Sequence, residues 1–371
     1  MPLVFPSPGD PVPHFAACTG GHPAFRFDTV AGRYVVLSFL GTLRNPAMRS
    51  AVHHIVERHR GWFDDRRACF FGVSVDPVDE REGALADSMP GIRFFRDFDR
   101  AVSKLYGVID GDSANFRYRP MTLVLDHRLR VLAVIPVDPD GRHNTEFDAC
   151  VAGLPALAPE TAAPVLNVPG VFEEDFCRHL IAHFERSGAR SSGIMEHADG
   201  MTTEFIDDRH KKRRDVLVTE AELKEEIGAR LLRRLVPAIS QAFQFQATRI
   251  ERYLLACYAA EEGGFFSPHR DNTTPATAHR RIAVTINLNS DFDGGDLVFP
   301  EFGPRSYRAP VGGAVVFSCS LMHQVVPVRR GRRFAFLPFL HDEAAEQVRL
   351  ANEKFLSDAI INRNISGGNA G

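Results

Sequence analysis

The chain has 371 residues, 44% hydrophobic and 25% charged, with a formal net charge of -3. This is the balance of a folded globular protein long enough for two domains, and it offers no bulk attraction to nucleic acid or an anionic membrane. No apolar stretch approaches the roughly 20 residues that cross a bilayer, the proline-broken start lacks a signal-peptide layout, and six scattered cysteines without a CxxC pair suit reduced thiols in a cytoplasmic protein.

In chain order, "YVVLSFL" (34–40) and "CFFGVSVD" (69–76) read as short buried strands. Between them "PAMRSAVHHIVERH" predicts a helix opening at Pro46, with Ala47, Met48, Ala51, Val52, Ile55 and Val56 on one face. Its cluster His53, His54, Glu57 and His59 reads as a solvated face in preference to a metal site, because the adjacent His53 and His54 cannot share a face. "IRFFRD", a helical "DRAVSKLYGV", "MTLVLD" and "VLAVIPV" then complete an α/β unit with a closing hairpin. The Ala/Pro-rich stretch over 151–164 predicts a linker.

The second half opens with a helix carrying Phe176, Leu180, Ile181 and Phe184, stopped at a glycine. Thr219 to Glu222 predicts a capping box ahead of a helix with Leu223, Ile227, Leu231 and Leu235, which Pro237 should kink. The basic run "HKKRRD" (210–215) is expected to be a solvated loop, not a nucleic-acid patch. After Phe245 the period becomes two: "RIAVTINLN", "DLVFPEF", "GAVVFSC" and "RFAFLPFL" are strands between Gly/Pro/Asp turns. Helices followed by many short strands predict a helix-supported β-sandwich or jelly roll. A last helix is expected over about 343–361, before a disordered "SGGNAG" tail.

Two HxD spacings occur, His197-Ala198-Asp199 and His269-Arg270-Asp271. Only the second has strands placed to hold it. A non-haem Fe(II) site needs two imidazoles and one carboxylate, with positions left open. His323, after the strand "GAVVFSC", is the candidate third ligand. Arg333, ten residues on, is placed to pair with the far carboxylate of a dicarboxylic co-substrate, with Arg332 as runner-up.

The series "CY…GG…HRD…GGDLVFPE…H…PVRRGRRFAF" resembles the Fe(II)/2-oxoglutarate dioxygenases, specifically the prolyl 4-hydroxylase branch, over roughly 164–342. The resemblance implies a double-stranded β-helix with His269, Asp271 and His323 on iron, Arg333 on the C5 carboxylate of 2-oxoglutarate, and Tyr258 hydrogen-bonded to that co-substrate. It further implies Fe(II), 2-oxoglutarate and O₂ as cofactors, with ascorbate as an option. The reaction would hydroxylate a C–H bond of a peptide, protein or small-molecule substrate, releasing succinate and CO₂. Asp271 disfavours the halogenating variant, which carries a small residue there.

The first half, "GDPVPHFAA…GRYVVLSFLGTLRNPAMRSAV…FFGVSVDP…RPMTLVLD", resembles a peroxiredoxin-like thioredoxin fold over about 6–150. The family's peroxidatic cysteine, which needs a helix start to become a thiolate, is replaced by Met48, so thiol peroxidase chemistry is not expected. Pro120 stands where such folds place a cis-proline. The expected layout is a thioredoxin-like domain over 1–155, a linker over 156–164, a dioxygenase domain over 165–345, and a C-terminal helix and tail over 346–371. The front domain would serve as a scaffold, a substrate-presenting module or a homodimer surface. A non-catalytic binding protein with a vestigial metal site is the alternative.

Overall fold

Five strands form the first sheet because their sequences are almost unbroken runs of β-branched and aromatic residues. In the computed structural model, which describes residues 5–111, 116–155, 160–198 and 200–357, these are β1 (Tyr34–Gly41), β2 (Ala68–Ser74), β3 (Ile92–Arg96), β4 (Met121–Leu125) and β5 (Val131–Pro136). Their order is β3-β2-β1-β4-β5, parallel through β1, β2 and β3 and antiparallel on the β4 side. Helices α1 (Pro46–His53) and α2 (Arg142–Ala152) belong to the same unit. Asn45 caps α1 by accepting from the Ala47 N–H, and Pro46 fills the first turn, where its missing N–H costs nothing. Met48 is buried in the core with Val52 and Ile55.

Contacts divide the chain into one unit of 1–161 with 300–303 and a second of 162–299 with 304–371. Pro120 precedes β4 as expected, but its peptide bond is trans; the cis bond among the described residues is Met89–Pro90. The Arg119 N–H bonds the Val108 carbonyl and the Pro120 carbonyl accepts from Val137, so the chain enters β4 extended.

The thiols follow their burial. Cys69, Cys177 and Cys257 are each pushed up to about 12 by desolvation, and Cys319 is raised well above its usual value for the same reason. A thiol of pKa near 12 is thiolate in only about one molecule in ten thousand at pH 8. Thiol titration of the native protein at pH 8 should therefore find at most two fast cysteines, Cys18 and Cys150, and six after denaturation. A fast-reacting Cys69 would contradict this packing.

The second unit begins with β6 (Leu166–Val168) and α3 (Glu174–Arg186). It continues through β7 (Arg190–Ser191), a hairpin of Ile194–Ala198 with Met201–Phe205, β8 (Lys211–Lys212) and β9 (Arg214–Leu217). Helix α4 (Ala221–Arg230) passes through a π turn over Leu231–Leu235 into α5 (Val236–Phe243). Pro237 accounts for that irregularity, since it cannot donate back along the helix. The expected capping box does not form: Glu220 is the N-cap without a side-chain cap bond, and its carboxylate instead accepts from the Thr219 N–H.

The strands that frame the site are β10 (Leu254–Ala259), β11 (Phe265–His269), β12 (Ile282–Asn287), β13 (Leu297–Val298), β14 (Ser306–Tyr307), β15 (Ala314–Ser318), β16 (His323–Val325) and β17 (Arg332–Phe336). They build a major sheet ordered β6-β15-β12-β17-β10-β9-β7 and a minor sheet ordered β8-β11-β16-β13-β14. On the outer face of the major sheet Ile282, Val284, Ile286, Phe334 and Phe336 pack with Leu180, Phe184, Ile227 and Leu231 of the helices. That burial is what the helices contribute to the sheet, at about 25 cal/mol per Å² of apolar surface. The last helix runs Glu343–Asn352 and ends in a 3-10 turn at Phe355; the remainder of that expected helix, and the tail, lie outside the described residues.

The basic run is not a solvated loop. Lys211 and Arg213 are buried while Arg214 is exposed, the alternation of a strand. Arg213 is satisfied by Asp215 at 2.6 Å, and Lys211 Nζ donates to the Gly193 carbonyl at 2.7 Å above the Phe266 ring. Burial holds the Lys211 pKa well below the usual lysine value. Among the described residues no helix is long and apolar enough to cross a membrane.

Candidate metal and co-substrate site

Strands β11 and β16 are antiparallel neighbours, and their register sets His269 opposite His323 after a bulge that follows Phe266. Residues 54 positions apart in sequence thus become cross-strand partners. Asp271 lies just past the end of β11, fixed by its backbone N–H to the Cys319 carbonyl at 3.0 Å. One carboxylate oxygen then faces each ring: Oδ1 is 3.6 Å from His269 Nε2 and Oδ2 is 3.5 Å from His323 Nε2. These gaps are too long for good hydrogen bonds. Atoms bonded to one ion at about 2.1 Å lie roughly 3–3.4 Å apart, so the trio has nearly the spacing of a coordination shell.

The protonation pattern fits the same purpose. His269 Nδ1–H donates to the Ser267 carbonyl at 2.8 Å, and His323 Nδ1–H to the Leu321 carbonyl at 3.1 Å. Both rings are thereby fixed in the tautomer whose Nε2 lone pair points at Asp271. Burial and the nearby His269 push the His323 pKa down to about 4, leaving a neutral imidazole near pH 7. Burial alone would raise Asp271, but His323 and His269 hold its carboxyl below the usual range. Phe266 stacks on His269 with centroids 3.5 Å apart, and Phe317 of β15 packs edge-on against His323 at 4.6 Å. Because Phe317 belongs to the major sheet, the trio lies between the two sheets.

The inner face of the major sheet carries the second half of the site. Tyr258 and Arg333 are cross-strand partners on β10 and β17. Arg333 is only 3% exposed. Its Nε and Nη2 donate to Asn287 Oδ1 at 3.1 and 3.0 Å, and Nη2 to Thr285 Oγ1 at 2.9 Å. Its guanidinium carbon is 5.5 Å from the Tyr258 ring centre. Burial lowers the Arg333 pKa, and no carboxylate among the described residues lies within ion-pair distance. A buried cation held by an amide and a hydroxyl is a socket for an anionic group. Gly295, at φ +69°, lies against it: a Cβ there would come within 3.2 Å of Arg333 Cδ and 2.8 Å of Val328 Cγ2. Arg332 points the other way, half-exposed, and donates to Glu185 Oε1 at 3.0 Å.

The twin tripeptide is different. His197 is in the Ile194–Ala198 strand, which pairs in a hairpin contrary to expectation, and its Nδ1 is 3.0 Å from Thr202 Oγ1; Asp199 lies outside the described residues. Sequence reading also missed Arg213, whose Nη1 is 3.4 Å from the Tyr258 hydroxyl. It missed Thr285 and Asn287 as the clamp on Arg333, although two polar residues in an otherwise apolar strand were a visible signal.

Residues 253–341 match the family model of the 2OG-Fe(II) oxygenase superfamily, and residues 8–134 match that of the AhpC/TSA family. The chain therefore joins a peroxiredoxin-like unit to a 2-oxoglutarate/Fe(II)-dependent dioxygenase unit. A PKHD-type hydroxylase of Pseudomonas putida is 27% identical over 180 residues, covering 46% of this chain and 75% of the relative. The PKHD-type hydroxylase PiuC of Pseudomonas aeruginosa is 29% identical over 182 residues with the same coverage. Among solved structures, a prolyl-4-hydroxylase of Pseudomonas putida aligns over 48% of this chain and 93% of its own, at 20% identity and TM-score 0.36. Peroxidoxin BcpB of Mycobacterium tuberculosis aligns over 40% and 99%, at 21% identity and TM-score 0.34.

Proposed function

We propose that the second unit hydroxylates a C–H bond of a peptidyl residue or small molecule, with Fe(II) held by His269, Asp271 and His323. The two sheets are read as the walls of a jelly roll that keeps water from this centre. Iron, 2-oxoglutarate and O₂ supply the oxidising chemistry when bound, giving succinate and CO₂. The protein's own part is placement. Asp271 offers the single negative charge, His269 and His323 offer neutral lone pairs, and Arg333 takes the distal carboxylate of the co-substrate. Tyr258 lines the same pocket, and Arg213, bonded to its hydroxyl, positions it.

The charges support the assignment. One carboxylate, a divalent ion, a dianionic co-substrate and one guanidinium sum to zero, so each buried charge has a partner only when all are present. Ascorbate is an optional reductant in this reading, which also allows a homodimer through the first unit and a cytoplasmic setting.

The observation that carries this reading is the pair of Nδ1–H bonds to backbone carbonyls, which aim both Nε2 atoms at Asp271. Anaerobic titration with Fe(II) and 2-oxoglutarate, followed by O₂, should give saturable binding and then succinate. A protein that binds neither and forms no succinate would refute the oxygenase reading and favour the non-catalytic alternative.

A further inference from the structure

The first unit contains another group of metal-competent side chains, and the helix geometry that assembles it is unusual. Helix α1 runs without a break into a π turn over His54–Arg58. In an α-helix a step of five residues leaves two side chains about 140° apart around the axis. The wider π turn, with its i to i+5 repeat, brings them back onto one side. His54 and His59 are five apart, and their rings lie 6.0 Å from each other. The solvated face was expected because the adjacent His53 and His54 cannot share a side; His53 does lie exposed, but His54 and His59 turn together toward α2.

Both Nε2 atoms converge on a single carboxylate oxygen, Asp148 Oδ1, at 2.8 Å from His54 and 2.7 Å from His59. Asp148 projects from α2, and the residue before it, the fully buried Phe147, packs edge-on against the His59 ring at 5.3 Å. The other carboxylate oxygen, Oδ2, faces Arg58 Nε at 3.3 Å, which orients the carboxylate and leaves Oδ1 to the histidines. Among the described residues, this trio and the one at His269 are the two groups whose ligand atoms come close enough to share an ion.

We propose that His54, His59 and Asp148 bind a divalent transition ion of the zinc type, independently of the iron centre. Two imidazoles and one carboxylate suit Zn(II), Co(II) or Ni(II) better than the hard cations Ca(II) and Mg(II). The side chains are between 17 and 30% exposed, so an ion enters from solvent and keeps water in its remaining positions. Binding changes no oxidation state: each imidazole moves its proton from Nε2 to Nδ1, and the freed lone pair turns to the metal. The Nε2–Oδ1 distances must open by roughly half an ångström to reach the spacing of bound ligands. A partly exposed cluster allows that movement. The competing account is a plain hydrogen-bonded trio that ties α1 to α2.

Dialysis of the full-length protein against Zn(II), without 2-oxoglutarate, followed by metal analysis separates the two. Wild type should retain two equivalents. A His269→Ala/His323→Ala variant should retain one, and adding His59→Ala should remove it. Asp148→Asn, which keeps the size of the side chain and the Oδ1 acceptor facing both histidines, should weaken this site at least tenfold with an unchanged circular dichroism spectrum. With Co(II) as the probe, the iron-site variant should show visible d–d bands that vanish in Asp148→Asn. No zinc on the His269→Ala/His323→Ala variant, or zinc indifferent to both His59→Ala and Asp148→Asn, would overturn the proposal and leave the hydrogen-bonded trio.

Discussion

His323→Ala should lower O₂-dependent succinate release by at least about a thousandfold, equivalent to roughly 4 kcal/mol of transition-state stabilisation. The size of the effect follows from where His323 sits. Its Nε2 is one of three donor atoms facing a common centre, and alanine replaces it with a void walled by Phe317 and Phe299. Water entering that void cannot reproduce the fixed tautomer that the Leu321 carbonyl imposes. The variant should stay folded, because the ring lies at the inner site and the large apolar cluster of this unit is on the other face of the major sheet. Anaerobic Fe(II) titration should show the loss directly. His197→Ala, in the other HxD, should behave as wild type. Retention of more than about a tenth of wild-type turnover by His323→Ala would exclude it as a ligand.

Arg333→Gln should raise the apparent KM for 2-oxoglutarate by about 30- to 1000-fold, the 2–4 kcal/mol expected for a buried charge-assisted pair. At saturating co-substrate kcat should fall far less, since the proposed site sets the guanidinium against the end of 2-oxoglutarate remote from the iron. Arg332→Gln should change KM less than threefold, because its pair with Glu185 is half-exposed and such pairs are worth about 0–1 kcal/mol. The ligand-free Arg333→Gln protein should also melt no lower than wild type. It loses a buried cation that has no carboxylate partner, and the new amide can still donate to Asn287. A KM shift shared equally by both variants would assign the anion socket wrongly.

Much of this site was legible as spacing. The HxD and the later histidine belong to strands paired in the minor sheet, and the arginine ten residues on follows on a strand of the major sheet. What the one-dimensional pattern could not convey was direction across a sheet. Arg332 and Arg333 are indistinguishable as text and separate only because β17 puts one inside and one out. The same rule explains the misreading of 210–215, where Lys211 and Arg213 point inward to partners contributed by Gly193 and Asp215. Composition sees five basic or histidine residues in a row, whereas burial sees alternate ones. The histidines of the first unit failed for a related reason: His54 and His59 share a side only because the helix widens by one residue per turn there. The missing capping box was a conflict of near-equal local options, since Glu220 serves its neighbour's N–H instead of Thr219 closing the helix.

Strand β12 is buried along its whole length, with Ile282, Val284 and Ile286 toward the helices and Thr285 and Asn287 toward the pocket. Slippage of this strand by one residue would therefore do two kinds of harm together. It would press an amide and a hydroxyl into the greasy layer and leave Arg333 facing aliphatic carbon. Neither error can be relieved without the other, so misaligned chains have no soft alternative in which to rest. The groups that hold Arg333 are thus also proofreaders of assembly, and on the proposed assignment affinity for 2-oxoglutarate would gauge whether the sheet has paired in its proper frame.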